Sequence, residues 1–109
     1  MSVTMVRQRV RDDALGQAQA AASELFAVLA RLRPDGIRYA STRVTDTGTF
    51  VILLELADGI ADPRLEIPEF GQFLQQLQGF VDGPPVIEQL EVVGSYRLFA
   101  SPDEATAAP

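Results

Sequence analysis

Residues 49–57 read TFVILLELA, and both parities of the run carry large apolar side chains: Phe50, Ile52, Leu54 and Leu56 on one, Val51 and Leu53 on the other. In an extended strand these two sets point to opposite faces, so a strand here needs cover on both sides. Leaving Val51 and Leu53 in water would forfeit roughly 1.5–3 kcal/mol of burial for each side chain. Helices packed on one sheet face satisfy one set only. The second set calls for another layer, and the same face of a second copy of the chain is the simplest one; the 58–67 loop or the C-terminal residues folding over it is the competing cover.

The flanking sequence supplies the rest of a small domain. Residues 3–11 alternate, with Thr4, Gln8, Val6 and Val10 on one face and Met5, Arg7, Arg9 and Arg11 on the other, which predicts a strand. From Asp12 to Leu32, apolar residues recur three and four apart through Leu15, Ala18, Ala22, Leu25, Leu29 and Leu32, which predicts a helix stopped by Pro34 and Gly36. Residues 37–45 are rich in β-branched and aromatic side chains, and Asp46-Thr47-Gly48 joins them to 49–57 as a hairpin. After an irregular stretch with Gly59 and Pro63, the spacing of Phe70, Phe73, Leu74, Leu77 and Val81 predicts a second helix entered through Pro68. Gly83-Pro84-Pro85 ends it, and residues 86–99 read as a long final strand with Gly94 as a bulge.

The order β-α-β-β-α-β is the ferredoxin-like α+β pattern, a four-stranded antiparallel sheet with both helices on one face. A chain of 109 residues has room for one such domain, expected over residues 1–99, with 100–109 as a loose tail. No apolar run approaches the roughly 20 residues of a membrane helix, and the expected compartment is the cytoplasm.

Cysteine, histidine, lysine, asparagine and tryptophan are all absent. Their absence removes disulfides, thiolate and imidazole metal sites, Schiff-base lysines and histidine general bases, and no metal or cofactor is expected. Serines Ser23, Ser41 and Ser95 have no histidine to activate them, and no phosphate-binding glycine loop is present. The net charge of −6 opposes a nucleic-acid partner. Charge is uneven, with seven arginines against four acids in residues 1–45 and two against eleven in 46–109.

Taken together, the element order, the helix IPEFGQFLQQLQGFVDGPP after a hydrophobic strand, and the closing EVVGSYRLF resemble the antibiotic biosynthesis monooxygenase-like members of the dimeric α/β barrel superfamily. The likeness covers residues 3–99 and lies in the whole fold rather than in a catalytic signature. It implies two protomers packed sheet to sheet as a homodimeric barrel, with a pocket in each between the sheet and its helices. Some such proteins oxidise polyketide-type aromatic substrates without metal or flavin, and others open haem. The oxygenases lean on Asn, Trp and Tyr, and the haem-degrading branch on Asn, Trp and an iron-ligating His. This chain lacks Asn, Trp and His, which disfavours the haem route and leaves Tyr39 and Tyr96 as polar handles for a phenol.

Two further residues stand out as pocket candidates. Glu55 interrupts the apolar ribbon, where burial would raise its pKa toward that of a working base and an arginine partner would cancel the effect. Arg9, in the row with Arg7 and Arg11, has the forked donors that grip an anionic group, against a solvated edge role. Val51, Leu53 and Val93 are the candidate dimer-interface residues. Two functions fit: a cofactor-independent oxygenase acting on a small aromatic or polyketide-type substrate, or a non-catalytic module that binds a small apolar or aromatic ligand or serves assembly.

Overall fold

A computed structural model describes residues 2–98. Its strands are β1 (Ser2–Arg9), β2 (Ile37–Arg43), β3 (Thr49–Leu56) and β4 (Val86–Leu90), and its helices are α1 (Leu15–Leu32) and α2 (Pro68–Gln78). Short 3-10 turns at Asp12–Ala14 and Pro63–Glu66 lead into the helices. The sheet runs β2-β3-β1-β4, every neighbouring pair antiparallel. This is the ferredoxin-like α+β arrangement that the element order implies.

Register assigns each residue to a face, because residues directly opposite one another point the same way. Thr4 faces Leu54 and Tyr39, Val6 faces Ile52 and Ser41, and Gln8 faces Phe50. These rows lie under the helices, where Gln8, Val10 and Leu54 are buried. The other parity places Val3, Met5 and Arg7 of β1 beside Glu55, Leu53 and Val51 of β3, on a face that no helix among the described residues covers.

The buried residues form two clusters. Val10, Ala14 and Ala18 pack with Leu15, Phe50 and Phe80, and Leu25, Ile67 and Phe70 pack with Val28, Leu29, Tyr39 and Phe73. Near the first cluster the chain is tied by its backbone. Val10 N–H donates to Gly48 O at 2.8 Å, Arg11 N–H to Phe80 O at 2.9 Å, and Asp82 N–H to Arg9 O at 2.8 Å. The end of β1 thus holds both the hairpin turn and the segment leaving α2. Helix α1 stops at Arg33, which takes the left-handed conformation (φ 49°) and donates its N–H to Leu29 O.

Two expectations are corrected. The final strand ends at Leu90, opposite Val3, rather than at residue 99, because residues 91–98 pair with no strand among the described residues. Residues 91–98 are irregular, so Gly94 is not a bulge in a strand, and Leu90 falls on the open face. Helix α2 ends at Gln78, and Val81 instead bridges Val10. Phe99 and the expected tail at 100–109 lie outside the described residues.

Gly48 is buried, and a Cβ there would approach the backbone oxygen of Val10 to 2.6 Å, inside any real contact, with the Asp12 and Leu15 side chains close beside it. We expect Gly48→Ala to lower unfolding free energy by about 1–3 kcal/mol in urea melts, the usual cost of forcing extra atoms into a packed site. A wild-type midpoint would show that the hairpin shifts without cost.

Candidate functional site

Between the two core clusters the sheet and helices enclose a narrow apolar crevice. Its floor is Ser41, Phe50 and Ile52, with Gln8 and Val10 toward the tied end and Tyr39 toward the other. The roof comes from Ala18, Ala22, Leu25 and Phe26 of α1 and Phe73 and Leu77 of α2. The small residues Ala18 and Ala22, one turn apart, leave the hollow that longer side chains would fill. As the side chains stand, the open space is about 30 Å³. That suits a water-sized molecule, whereas a benzene ring takes a cavity of about 150 Å³.

Three polar side chains reach this apolar space. Gln8 is 5% exposed and donates through Nε2 to Arg9 O at 3.0 Å and Gly83 O at 3.1 Å. Ser41 and Tyr39 follow one another on the inward parity of β2. The Tyr39 ring lies 5.4 Å from the centroid of Phe26 and 5.4 Å from that of Phe70, the latter edge to face. No buried side-chain polar atom among the described residues lacks a hydrogen-bond partner. Neither the Tyr39 nor the Ser41 hydroxyl appears in the protein hydrogen bonds there, so both open onto accessible space.

Arg64 stands beside this aromatic group. Its guanidinium lies 5.9 Å from the Phe70 ring centroid and grips the Asp62 carboxylate, with Nη2 to Oδ2 at 2.6 Å and Nε to Oδ1 at 3.1 Å. Asp62 also accepts from Arg64 N–H at 3.0 Å across Pro63, capping the 3-10 turn. The Arg64 side-chain hydrogen bonds hold the Asp62 carboxyl below its ordinary value against the opposing effect of burial. Burial pushes the Tyr39 hydroxyl up, and the nearby Arg64 charge opposes that rise.

The four pocket candidates are not brought together. Tyr39 lines the crevice, whereas Tyr96 lies beyond the end of β4, 82% exposed with the Arg97 guanidinium 5.2 Å from its ring centroid. Glu55 shares the parity of Val51 and Leu53, so it points to the open face and pairs with Arg38 at 3.4 Å. Arg9 points the same way and lies 3.7 Å from Asp12 and 3.8 Å from Asp82. Of the interface candidates, Val51 and Leu53 lie half-buried on the open face, and Val93 is 99% exposed outside the sheet. Sequence reading did not single out Gln8 and Ser41 as crevice residues. Their signal was present: each is a polar residue in phase with the apolar, inward parity of its strand.

No family model matches the chain, and no curated protein sequence does either. Solved structures share its fold. A protein from Nitrosomonas europaea, provisionally named an antibiotic biosynthesis monooxygenase, superposes with a TM-score of 0.69 at 18% identity, over 86% of this chain and 100% of its own. The Rv0793 protein of Mycobacterium tuberculosis gives 0.66 at 22% identity, over 86% and 96%. A Caulobacter crescentus protein, also provisionally named an antibiotic biosynthesis monooxygenase, gives 0.64 at 20%, over 85% and 90%. The chain therefore has the fold of the antibiotic biosynthesis monooxygenase-like proteins. No helix among the described residues is long and apolar enough to cross a membrane.

Because its pKa is depressed, Asp62 contributes stability that is present above the ordinary aspartate pKa and is lost as pH falls through the lowered value. In Arg64→Gln the Asp62 carboxyl should titrate at higher pH by carbon-13 NMR. The Tyr39 phenol, followed as the ultraviolet difference from Tyr39→Phe, should ionise at still higher pH than before. Unchanged titrations would show that Arg64 governs neither group.

Proposed function

We propose that this protein is a monooxygenase-like homodimeric barrel that acts on a small phenolic aromatic without a cofactor. The observation that carries the reading is the crevice, an apolar space lined in part by Tyr39, in the fold shared with the structures named above. The aromatic walls of Phe26, Phe50 and Phe73 match a flat ring, and burial keeps Tyr39 protonated as a hydrogen-bond donor. In this account the crevice excludes water and Tyr39 orients the substrate oxygen. The substrate carbanion, formed as a ring C–H loses its proton, reduces dioxygen. One oxygen atom becomes the new quinone carbonyl, the other leaves as water with the two hydrogens lost, and the substrate supplies all the electrons. Admission of the ring requires the roof to widen, since the resting space is about 30 Å³.

The open sheet face supports the dimer. Val3, Met5, Ala40, Val51 and Leu53 occupy its centre, flanked on β4 by Val86 at 53% and Leu90 at 39% exposure. An apolar face of this kind belongs in an interface, and a second copy presents the same face. The cytoplasm remains the compartment we assign, from the composition.

A second reading rests on one observation: the crevice is nearly filled by side chains, which suits a non-catalytic assembly module whose dimer merely buries the sheet. Incubation with a panel of polycyclic phenols under air separates the two. The oxygenase reading expects quinone absorbance with matching oxygen uptake, slowed by about tenfold or more in Tyr39→Phe through loss of one hydrogen bond. Quinone from no member of the panel would leave the assembly reading in its place. Both readings expect a dimer by sedimentation at high micromolar concentration and a monomer for Leu53→Asp; a monomeric wild type would overturn the barrel.

A further inference from the structure

We infer that Gln8 makes the inner end of the crevice select a ligand that carries a hydrogen-bond donor there, a neutral aromatic hydroxyl rather than an ether, ketone or anion. The inference rests on the crevice being a ligand site, and deepens that reading by specifying the ligand's polarity.

The argument begins with the orientation of the Gln8 amide. Its Nε2 lies 3.0 Å from Arg9 O and 3.1 Å from Gly83 O, and carbonyl oxygens only accept. Turning the amide over would set Oε1 against both carbonyls, so the nitrogen is fixed on their side. The partner carbonyls belong to the end of β1 and to the segment leaving α2, two parts of the chain already joined by the Asp82 to Arg9 backbone hydrogen bond. The orientation is therefore built into the fold.

With both N–H groups committed, the remaining atom is Oε1, an acceptor only. Gln8 is 5% exposed and lines the crevice, and no protein hydrogen bond among the described residues uses Oε1. The atom nevertheless touches accessible space, since no buried side-chain polar atom there lacks a partner. The neighbouring floor and roof, Val10, Phe50 and Leu77, offer it nothing to accept from. A ligand occupying the inner end must supply a donor or leave this oxygen dry and unpaired, and an anion or ether oxygen would meet lone pairs with lone pairs. Ser41 and Tyr39 further out can each donate or accept, so they impose no such demand.

The test compares 1-naphthol with its methyl ether, 1-methoxynaphthalene, by fluorescence titration of the full chain. These share ring and oxygen and differ in the donor. Wild type should bind the naphthol about tenfold more tightly, the worth of one hydrogen bond made in a dry site. In Gln8→Met, which keeps the side-chain length and removes the acceptor, the ratio should fall toward one. Equal wild-type affinities would overturn the role of Gln8 while leaving the crevice as a ligand site. A preference that survives in Gln8→Met would also overturn it, by assigning the preference to shape. Binding of neither compound would remove the ligand-site reading itself, and this inference with it. Should Gln8→Met fail to fold, the wild-type pair together with Ser41→Ala and Tyr39→Phe decides: a preference abolished in either variant belongs to that hydroxyl and overturns the role of Gln8, and one retained in both belongs to Gln8.

Discussion

The pairing of β1 with β3, from Ser2 opposite Leu56 to Arg9 opposite Thr49, is the constraint on which the remaining structure depends. These are the two inner strands, and their register decides which half of every side-chain row meets the helices. A slip of one residue would put Val51 and Leu53 under α1 and turn Ile52 and Leu54 outward. Since both parities of β3 are apolar, hydrophobicity on that strand alone would barely resist the slip. Resistance comes from β1, where one parity holds Val6 and Val10 and the other holds Arg7 and Arg9. Burying those arginines beneath a helix without partners would cost far more than any gain in apolar contact.

The helices then close over a core that is divided. Leu25, Ile67 and Phe70 make one centre and Val10, Ala14 and Ala18 the other, and the crevice lies where they fail to merge. Longer aliphatic residues at Ala18 and Ala22 would join them into a single core and add apolar burial. The chain thus forgoes packing at one place, and polar atoms of Gln8, Ser41 and Tyr39 border that place. An apolar hollow with a few fixed polar groups on its wall is the common form of a small-molecule site.

Much of this was legible in the sequence because it is local. The alternation of β1, the three-and-four spacing of α1 and the turn residues around Gly48 each determine an element within a short window. The outward direction of Glu55 was not legible in the same way, since both parities of β3 are apolar, and Glu55 and Arg9 were expected in the pocket. The end of β4 was not legible, since it depends on pairing with β1, a partner more than eighty residues away. The position of Tyr96 outside the sheet was hidden for the same reason: its alternation continues in sequence past the last residue that pairs with β1. The grip of Gln8 on Gly83 is equally non-local, and a glutamine in phase with valines gives no sign by itself of what it holds.

The backbone ties around Val10 have a mechanical consequence. Gly48, Phe80 and Asp82 are all bonded to residues 9–11, so the turn, the exit from α2 and the end of β1 move as one body. The opposite end of the helix layer, around Phe26, Tyr39 and Phe70, is held by ring contacts and apolar packing, which can slide. In the oxygenase reading proposed above, widening of the space beneath the helices would be a pivot like that of a clothes peg, with the spring at Val10 and the jaws at Tyr39, and a substrate would pass the jaw end beside the guanidinium of Arg64.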